Sequence, residues 1–145
     1  MSLFSAIAVS ASGLDAQRTR AELITENLAN ADTTRTPDGG PYKRKDAVFA
    51  TQTMSGSFAS MLMNASGDPP SGVSVSEITI DESEPERRYL PGHPDADPQG
   101  YVSFPHINPA EEMVDLMSAS RGYQANVTAI TSVKEMIARS IDLFK

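Results

Sequence analysis

Residues 108–145 read NPAEEMVDLMSASRGYQANVTAITSVKEMIARSIDLFK, and this stretch decides the fold. It begins with Asn108, a good helix N-cap, followed by Pro109, which fits the first helical position. Acidic side chains lie in the first turn and a basic side chain lies near the end, so the charges at both ends interact favourably with the helix dipole. Gly122 is the one glycine after Pro109. The stretch therefore predicts a helix over residues 109–145, roughly 54 Å long.

Apolar side chains recur along this predicted helix in alternating steps of three and four residues, the spacing of a coiled-coil seam. Two positions in the series, Ser120 and Lys134, are polar. The others form the predicted C-terminal helix interface: Met113, Leu116, Tyr123, Val127, Ile130, Ile137, Ile141 and Phe144. Further apolar residues lie off the seam, so the helix is apolar around most of its circumference: Val114, Met117, Ala125, Ala129, Met136 and Leu143.

The first 30 residues predict a second helix, because they lack proline and contain a single glycine, Gly13. This helix is expected from about Leu3 to Leu28, with its end near Asn30. Its apolar residues follow the same spacing less regularly and form the predicted N-terminal interface: Ile7, Ala11, Leu14, Ala21, Ile24 and Leu28.

Residues 31–108 separate the two helical segments and hold nine of the ten prolines and seven of the nine glycines. Candidate strands cover 42–50, 73–80 and 101–104, and the alternation slips at Glu77, which indicates a bulge or two short strands. The predicted fold is mainly α. Its N-terminal helix (1–30) and C-terminal helix (109–145) pack as a coiled-coil-like pair, and an irregular, β-rich middle segment (31–108) connects them.

The composition argues against most kinds of active or binding site. A net charge of −7 with no large basic cluster makes a nucleic-acid partner unlikely on electrostatic grounds. The chain has no cysteine, its two histidines are poorly spaced for a metal, and it has no phosphate-binding loop or nucleophile motif. We therefore expect no enzymatic activity, no cofactor, no metal and no small-molecule substrate.

The N-terminus does not fit a cleaved signal peptide, because its first basic residue is Arg18. No run of 18 apolar residues exists, so no direct membrane span is expected. The apolar stripes on the two terminal helices are wider than one partner helix can cover, and the middle segment is poor in apolar residues. We therefore expect neighbouring subunits to cover them, although a helical hairpin within a monomer would produce the same spacing.

Several motifs resemble the flagellar basal-body rod protein family. Leu28-Ala29-Asn30-Ala31-Asp32-Thr33 is similar to the family signature near the N-terminus, and it follows a Ser-x-x-Gly-Leu pattern at 10–14. The C-terminal motif is matched at 112–116 and 120–126, and parts of the middle are similar to proximal-rod members. The motif residues carried over are Ala29, Asn30, Thr33, Tyr123, Ala125 and Asn126. The chain departs from the family at His106, where asparagine is more frequent, and at Gly122, where alanine is common.

This resemblance implies a structural subunit of the proximal rod, which transmits torque and is required for motility. It implies assembly in the periplasm with copies of the chain and with other rod proteins. It also implies passage through the flagellar export apparatus without a cleaved signal peptide. The terminal helices would then form an inner tube and the middle segment would face outward. A secreted type III translocator-like or cap-like binding protein is the alternative, since it would share the helical ends.

Overall fold

The computed structural model describes residues 3–53 and 71–142, and it contains two long helices and two small antiparallel sheets. The elements follow in the order α1 (Leu3–Ala29), β1 (Lys45–Thr53), β2 (Ser71–Ile80), β3 (Glu86–Tyr89), β4 (Tyr101–Phe104) and α2 (Pro109–Asp142). The predicted fold class, mainly helical with a small β-rich middle, is confirmed.

Helix α2 begins where its capping sequence predicts. The Asn108 side-chain Oδ1 accepts a hydrogen bond from the Ala110 backbone N–H at 3.1 Å, which satisfies one of the free donors of the first turn. The Asn108 carbonyl accepts from the Glu112 N–H, also at 3.1 Å, and so forms the first intrahelical bond. Proline at position 109 costs no hydrogen bond, because a backbone N–H at the first helical position has no partner within the helix.

Helix α1 ends at Ala29, one residue before the predicted end. Asn30 Nδ2 donates to the Glu26 carbonyl at 2.9 Å, so the side chain satisfies a carbonyl of the last turn. The Thr33 N–H then donates to the Asn30 carbonyl at 3.0 Å and turns the chain away from the helix axis. The Thr33 carbonyl accepts from Tyr42 N–H at 3.0 Å, which brings the returning chain back to the helix end.

Helices α1 and α2 pack side by side in antiparallel directions. Asn27, near the end of α1, contacts Glu112 at the start of α2, whereas Gly13 lies against Asn126 farther along. The buried apolar residues of the pair are Ala16, Leu23 and Ile24 on α1 and Ala119 and Val133 on α2. Small side chains at several of these positions allow the two backbones to approach closely.

Strands β1 and β2 form an antiparallel hairpin that contains a bulge. Val48 pairs with Glu77 but Phe49 pairs with Val75, so Ser76 has no partner and one residue is extra on β2. This bulge is the physical cause of the slip in alternation that the sequence shows at Glu77. Residues 54–65, whose sequence has no clear helix or strand pattern, lie outside the described residues.

Strands β3 and β4 form a second hairpin, of which only β4 is predicted by the sequence pattern. The run Arg87-Arg88 has the composition of a solvated surface, yet it pairs with Ser103 and Val102 across the sheet. Each guanidinium lies over an aromatic ring, Arg87 over Tyr101 at 5.1 Å and Arg88 over Phe104 at 4.7 Å. These cation–π contacts let charged side chains cover aromatic ones, which the alternation of apolar residues cannot reveal.

Candidate functional site

A groove of about 810 Å³ runs along one flank of the helix pair; we call it the flank groove. Its lining comes from both helices: Gln17, Arg18, Ala21, Glu22 and Thr25 on α1, and Leu116, Ala119, Ser120 and Tyr123 on α2. An exposed ion pair on α1 joins Arg18 Nε to Glu22 Oε1 at 2.9 Å along its side. Small and apolar side chains, Ala21, Ala119 and Leu116, therefore alternate with polar ones in a surface that is open to solvent.

The β1–β2 hairpin covers the opposite side of α1. The Val73 backbone N–H donates to Ser12 Oγ at 3.0 Å, which fixes β2 against the helix. Ser12 and Ala21 are nine residues apart, and at about 100° per residue they point to opposite sides. One side of α1 is therefore covered by its own chain, whereas the side that carries Ala21 faces the flank groove.

The predicted interface residues differ widely in exposure. Ile24 is buried. Half-buried are Ile7, Leu14, Ala21, Leu28, Leu116, Val127, Ile130 and Ile137. Exposed are Ala11, Met113, Tyr123 and Ile141, and Phe144 lies outside the described residues. The role of these residues as an interface between subunits stays a prediction.

The face of α2 that contacts α1 is displaced by one residue from part of the predicted seam. The buried positions of α2 are Glu112, Ala119 and Val133, which lie seven and fourteen residues apart and so share one heptad position. The series predicted from the spacing instead passes through the positions that directly follow them, Met113, Ser120 and Lys134, of which Met113 alone is apolar. One residue rotates the helix by about 100°, so those predicted positions lie toward the flank groove and solvent.

Two glycines allow the close approach of α1 and α2. A Cβ atom on Gly13 would lie 2.9 Å from Asn126 Oδ1, and one on Gly122 would lie 3.0 Å from Gln17 Cδ. Asn126 is held in place because its Nδ2 donates to the Gly122 carbonyl at 2.9 Å. Glycine at position 122 leaves room for the Gln17 side chain in its present position.

A cluster of buried and half-buried polar side chains joins the two helices to the middle segment; we call Asn27, Tyr42, Arg44 and Glu112 the polar junction. Asn27 is 0% exposed and Glu112 is 2% exposed. Asn27 Nδ2 donates to Glu112 Oε2 at 3.2 Å, and Asn27 Oδ1 accepts from Tyr42 Oη at 3.0 Å. Asn27 also holds the backbone of Lys45, accepting from its N–H at 2.9 Å and donating to its carbonyl at 2.8 Å.

An ion pair completes the polar junction. Arg44 Nε lies 2.6 Å from Glu112 Oε1, and this hydrogen bond raises the pKa of the Arg44 guanidinium above its ordinary value. Burial raises the pKa of Tyr42 to about 12, and the nearby carboxylates of Glu26 and Glu112 act in the same direction. The phenol therefore stays protonated and the guanidinium stays charged at physiological pH, as their hydrogen bonds require.

Two of the family-motif residues form hydrogen bonds in the turn that follows α1. Asn30 and Thr33 are half-buried and form the turn that ends the helix, with Thr33 Oγ1 donating to Asn30 Oδ1 at 3.1 Å. Ala29 is exposed, as are Ala125 and Tyr123 on α2, whereas Asn126 is half-buried against Gly13. The structure thus divides the motif residues between turn-forming positions and accessible ones.

The acidic loop between β3 and β4 is a structural turn. Asp97 Oδ1 accepts from the backbone N–H groups of Gln99 and Tyr101, each at 2.9 Å, and Asp97 Oδ2 pairs with Arg87 at 2.6 Å. These bonds to Asp97 lower its pKa below its ordinary value. Within residues 3–53 and 71–142, no three or more potential metal ligands come together.

The polar junction is the part of the site that sequence reasoning missed. The position of Glu112 in the first turn of α2 suggests a role at the helix dipole alone. A signal was present in Asn27, which lies three residues after Ile24 and one before Leu28, on the apolar side of α1. A polar residue on such a face indicates a buried hydrogen-bond partner.

Comparisons with known proteins agree over the whole chain. Residues 7–35 match the family described as "Flagella basal body rod protein", and residues 99–143 match "Flagellar basal body rod FlgEFG protein C-terminal".

Relatives named flagellar basal-body rod protein FlgC are similar along their full length. The one from Borreliella burgdorferi is 44% identical, with 100% of this chain and 99% of the relative covered. The one from Bacillus subtilis is 43% identical, with 100% of both covered, and the one from Escherichia coli O157:H7 is 38% identical, with 99% and 98% covered. On this evidence the chain belongs to the flagellar basal-body rod protein family.

Proposed function

We propose that this structural subunit of the proximal rod joins copies of itself and other rod proteins by accepting a neighbouring helix in the flank groove. Its relatives are structural rod proteins, which confirms the prediction that the chain is not an enzyme. The observation that carries the proposal is the flank groove itself, lined by apolar and polar residues from both helices and open along one side.

The exposure of large apolar side chains supports this proposal. Met113 is 51% exposed, Tyr123 is 43% exposed and Ile141 is 57% exposed, and all three belong to the predicted helix interface. Tyr123 and Ile141 are eighteen residues apart, which at about 100° per residue places them on the same side of α2, where a neighbouring helix would bury both. Burying each such side chain in a neighbour would contribute about 1.5–3 kcal/mol before the entropic cost of association.

A second apolar surface lies beside the flank groove on α2. It consists of Met113, Val114 and Met117, of which Val114 is 60% exposed and Met117 is 53% exposed. Since Leu116 and Met117 differ by about 100° around the helix, this surface and the groove point in different directions. Two different surfaces suit a head-to-tail contact, which generates an open helical assembly in place of a closed dimer.

The proposal includes the placement of the segments and of the assembly. The helical segments 1–30 and 109–145 form the inner tube, and the middle segment 31–108 faces outward. The rod lies in the periplasm, is reached through the flagellar export apparatus without a cleaved signal peptide, and transmits torque. Among the described residues, no helix combines the length and apolar character needed to cross a membrane.

Substitution of Ala21 by arginine tests the flank groove. Ala21 lines the groove, so Ala21→Arg fills it with a charged side chain that a neighbouring helix cannot displace at low cost. Ala50→Arg is the matched control, because Ala50 is exposed on β1 and no part of the groove. Each variant is expressed in cells that lack the chain, and swimming, secreted protein and basal-body micrographs are recorded.

We expect Ala21→Arg to abolish swimming and to leave basal bodies without a complete rod, while the protein is still exported. Ala50→Arg should restore swimming to the level given by the unchanged chain. Full motility with Ala21→Arg would show that no neighbour occupies the flank groove.

A further inference from the structure

We infer that the polar junction sets the register of α2 against α1, and that it contributes little to holding the helices together. Its ion pair joins Arg44 Nε and Glu112 Oε1 at 2.6 Å, in a position where Glu112 is 2% exposed. The free-energy cost of removing two charges from water offsets most of the attraction between them. Apolar residues of similar volume at these two positions would therefore stabilise the helix pair at least as much. The polar groups instead require one particular register of α2 against α1, because their hydrogen bonds form only in that register.

The other contacts between the helices define the register weakly, and they include a partly exposed ion pair between Arg20 and Asp115, whose nearest atoms are 3.6 Å apart. The buried positions of α2, Glu112, Ala119 and Val133, fall on one column that repeats every seven residues. A slide of α2 by seven residues, about 10 Å, would leave this column facing α1. The two glycine contacts do not prevent such a slide, because it can bring the small side chain of Ala119 opposite Gly13 in place of Asn126, and Gln17 can turn aside from the position opposite Gly122.

Such a slide would break every bond of Glu112 within the polar junction. Asn27 cannot follow α2, because its side chain is bonded to both the N–H and the carbonyl of Lys45. Arg44 directly precedes Lys45 and stays with it. A slide would thus leave a carboxylate without its two partners, which is strongly unfavourable for a buried group, and only one register satisfies all the groups.

The register matters for the flank groove because both helices line it. A displacement of about 10 Å along the axis would move Leu116 and Tyr123 away from Ala21 and divide the groove. The polar junction is therefore a positioning device for the surface that receives a neighbouring helix. This consequence rests on the proposed function, whereas the effect on register is a property of the single chain.

Replacement of the ion pair by apolar residues tests the inference. The double variant Arg44→Met with Glu112→Leu removes both charges and leaves Asn27 bonded to Lys45. Spin labels are attached through Ala29→Cys and Ser132→Cys, two exposed positions on different helices, in a chain with no cysteine of its own. The distance between the labels in the full chain is measured by pulsed electron resonance. Arg88→Met with Glu86→Leu, which removes an exposed ion pair on β3, is the control.

We expect one narrow distance in the unchanged chain and in the control. The double variant should keep its helical circular dichroism and melting temperature and show a second distance displaced by about 10 Å. The single variant Arg44→Met should melt at a lower temperature, because it leaves Glu112 buried without its cation. A single, unchanged distance in the double variant would overturn the inference. So would its unfolding, since the pair would then act through stability. Motility of Ala21→Arg is measured independently, so failure of the proposed function remains distinguishable.

Discussion

Gly13 and Gly122 occupy the points where α1 and α2 come closest, and their neighbours respond differently to an added methyl group. Asn126, opposite Gly13, is anchored by its bond to the Gly122 carbonyl. Gln17, opposite Gly122, has a longer side chain, and its Oε1 is buried without a hydrogen-bond partner among the described residues. Moving Asn126 therefore breaks a bond, whereas moving Gln17 breaks none at that oxygen.

Substitution of each glycine by alanine should have opposite effects on stability. Alanine in a helix interior gains up to about 1 kcal/mol over glycine. At Gly13 we expect this gain to be exceeded by about 1–3 kcal/mol of overpacking against Asn126, so Gly13→Ala lowers the free energy of unfolding. Gly122→Ala should be neutral or stabilising. Urea unfolding followed by circular dichroism measures both, and a Gly13→Ala chain more stable than the unchanged one would contradict the packing argument.

The buried phenol of Tyr42 should make the chain less stable at high pH. Its pKa is about 12 when folded and near 10 when unfolded, because burial disfavours the phenolate. The folded state thus holds its proton more tightly, so the contribution is complete below pH 10 and is lost as the pH rises through 12. A difference of about two pKa units corresponds to about 3 kcal/mol. Urea unfolding between pH 9 and pH 12 should show this decline.

Two tyrosine variants isolate this contribution from other groups that titrate at high pH. Tyr42→Phe removes the phenol, so its stability should decline less over the same range, from a starting value lowered by about 1 kcal/mol for the lost bond to Asn27. Tyr89→Phe changes a side chain that is 64% exposed and should follow the unchanged chain. Equal slopes for Tyr42→Phe and the unchanged chain would show that the phenol is not the cause.

Among the elements, those with strong local signals were predicted from the sequence. The start of α2 follows from Asn108 and Pro109, whose preferences depend on the backbone alone. Strand β4 lies at the predicted residues 101–104, and the bulge opposite Val48 follows from the slip in alternation. Strand β1 begins at Lys45 and not at the predicted residue 42, because Tyr42 and Arg44 turn toward the helices to join the polar junction.

The orientation of α2 and the polar junction could not be read from apolar spacing. That spacing shows that the segment is helical. Because α2 has apolar residues on several sides, the spacing does not decide which of two adjacent positions faces α1. Here Ala119 and Glu112 face α1, because small and hydrogen-bonded side chains fit the close contact better than Met113 does. Strand β3 was missed for a related reason, since its arginines are stabilised by rings contributed from β4.

At the scale of the whole molecule, the helix pair is held unevenly along its length. Toward the polar junction, α1 contributes the buried residues Ala16, Leu23, Ile24 and Asn27. Toward the other end, Val133 is the one buried residue of the described part of α2 beyond Ala119, and residues 3–15 of α1 contribute none. That end instead exposes apolar side chains, with Phe4 76% exposed.

This uneven burial predicts how fast the amides of each helix exchange hydrogen before and after assembly. Segments with few buried contacts open with small free energies, so in the isolated chain the amides of residues 3–11 and 130–142 should exchange hydrogen rapidly. Amides of residues 16–27 and 112–126 should exchange far more slowly. In purified basal bodies, neighbouring subunits would cover the exposed apolar groups, and we expect protection to extend along both helices. Mass spectrometry after deuterium labelling measures each segment. Equal protection along the whole of α2 in the isolated chain would mean that one molecule alone stabilises its helices, and the argument for coverage by neighbours would lose its energetic basis.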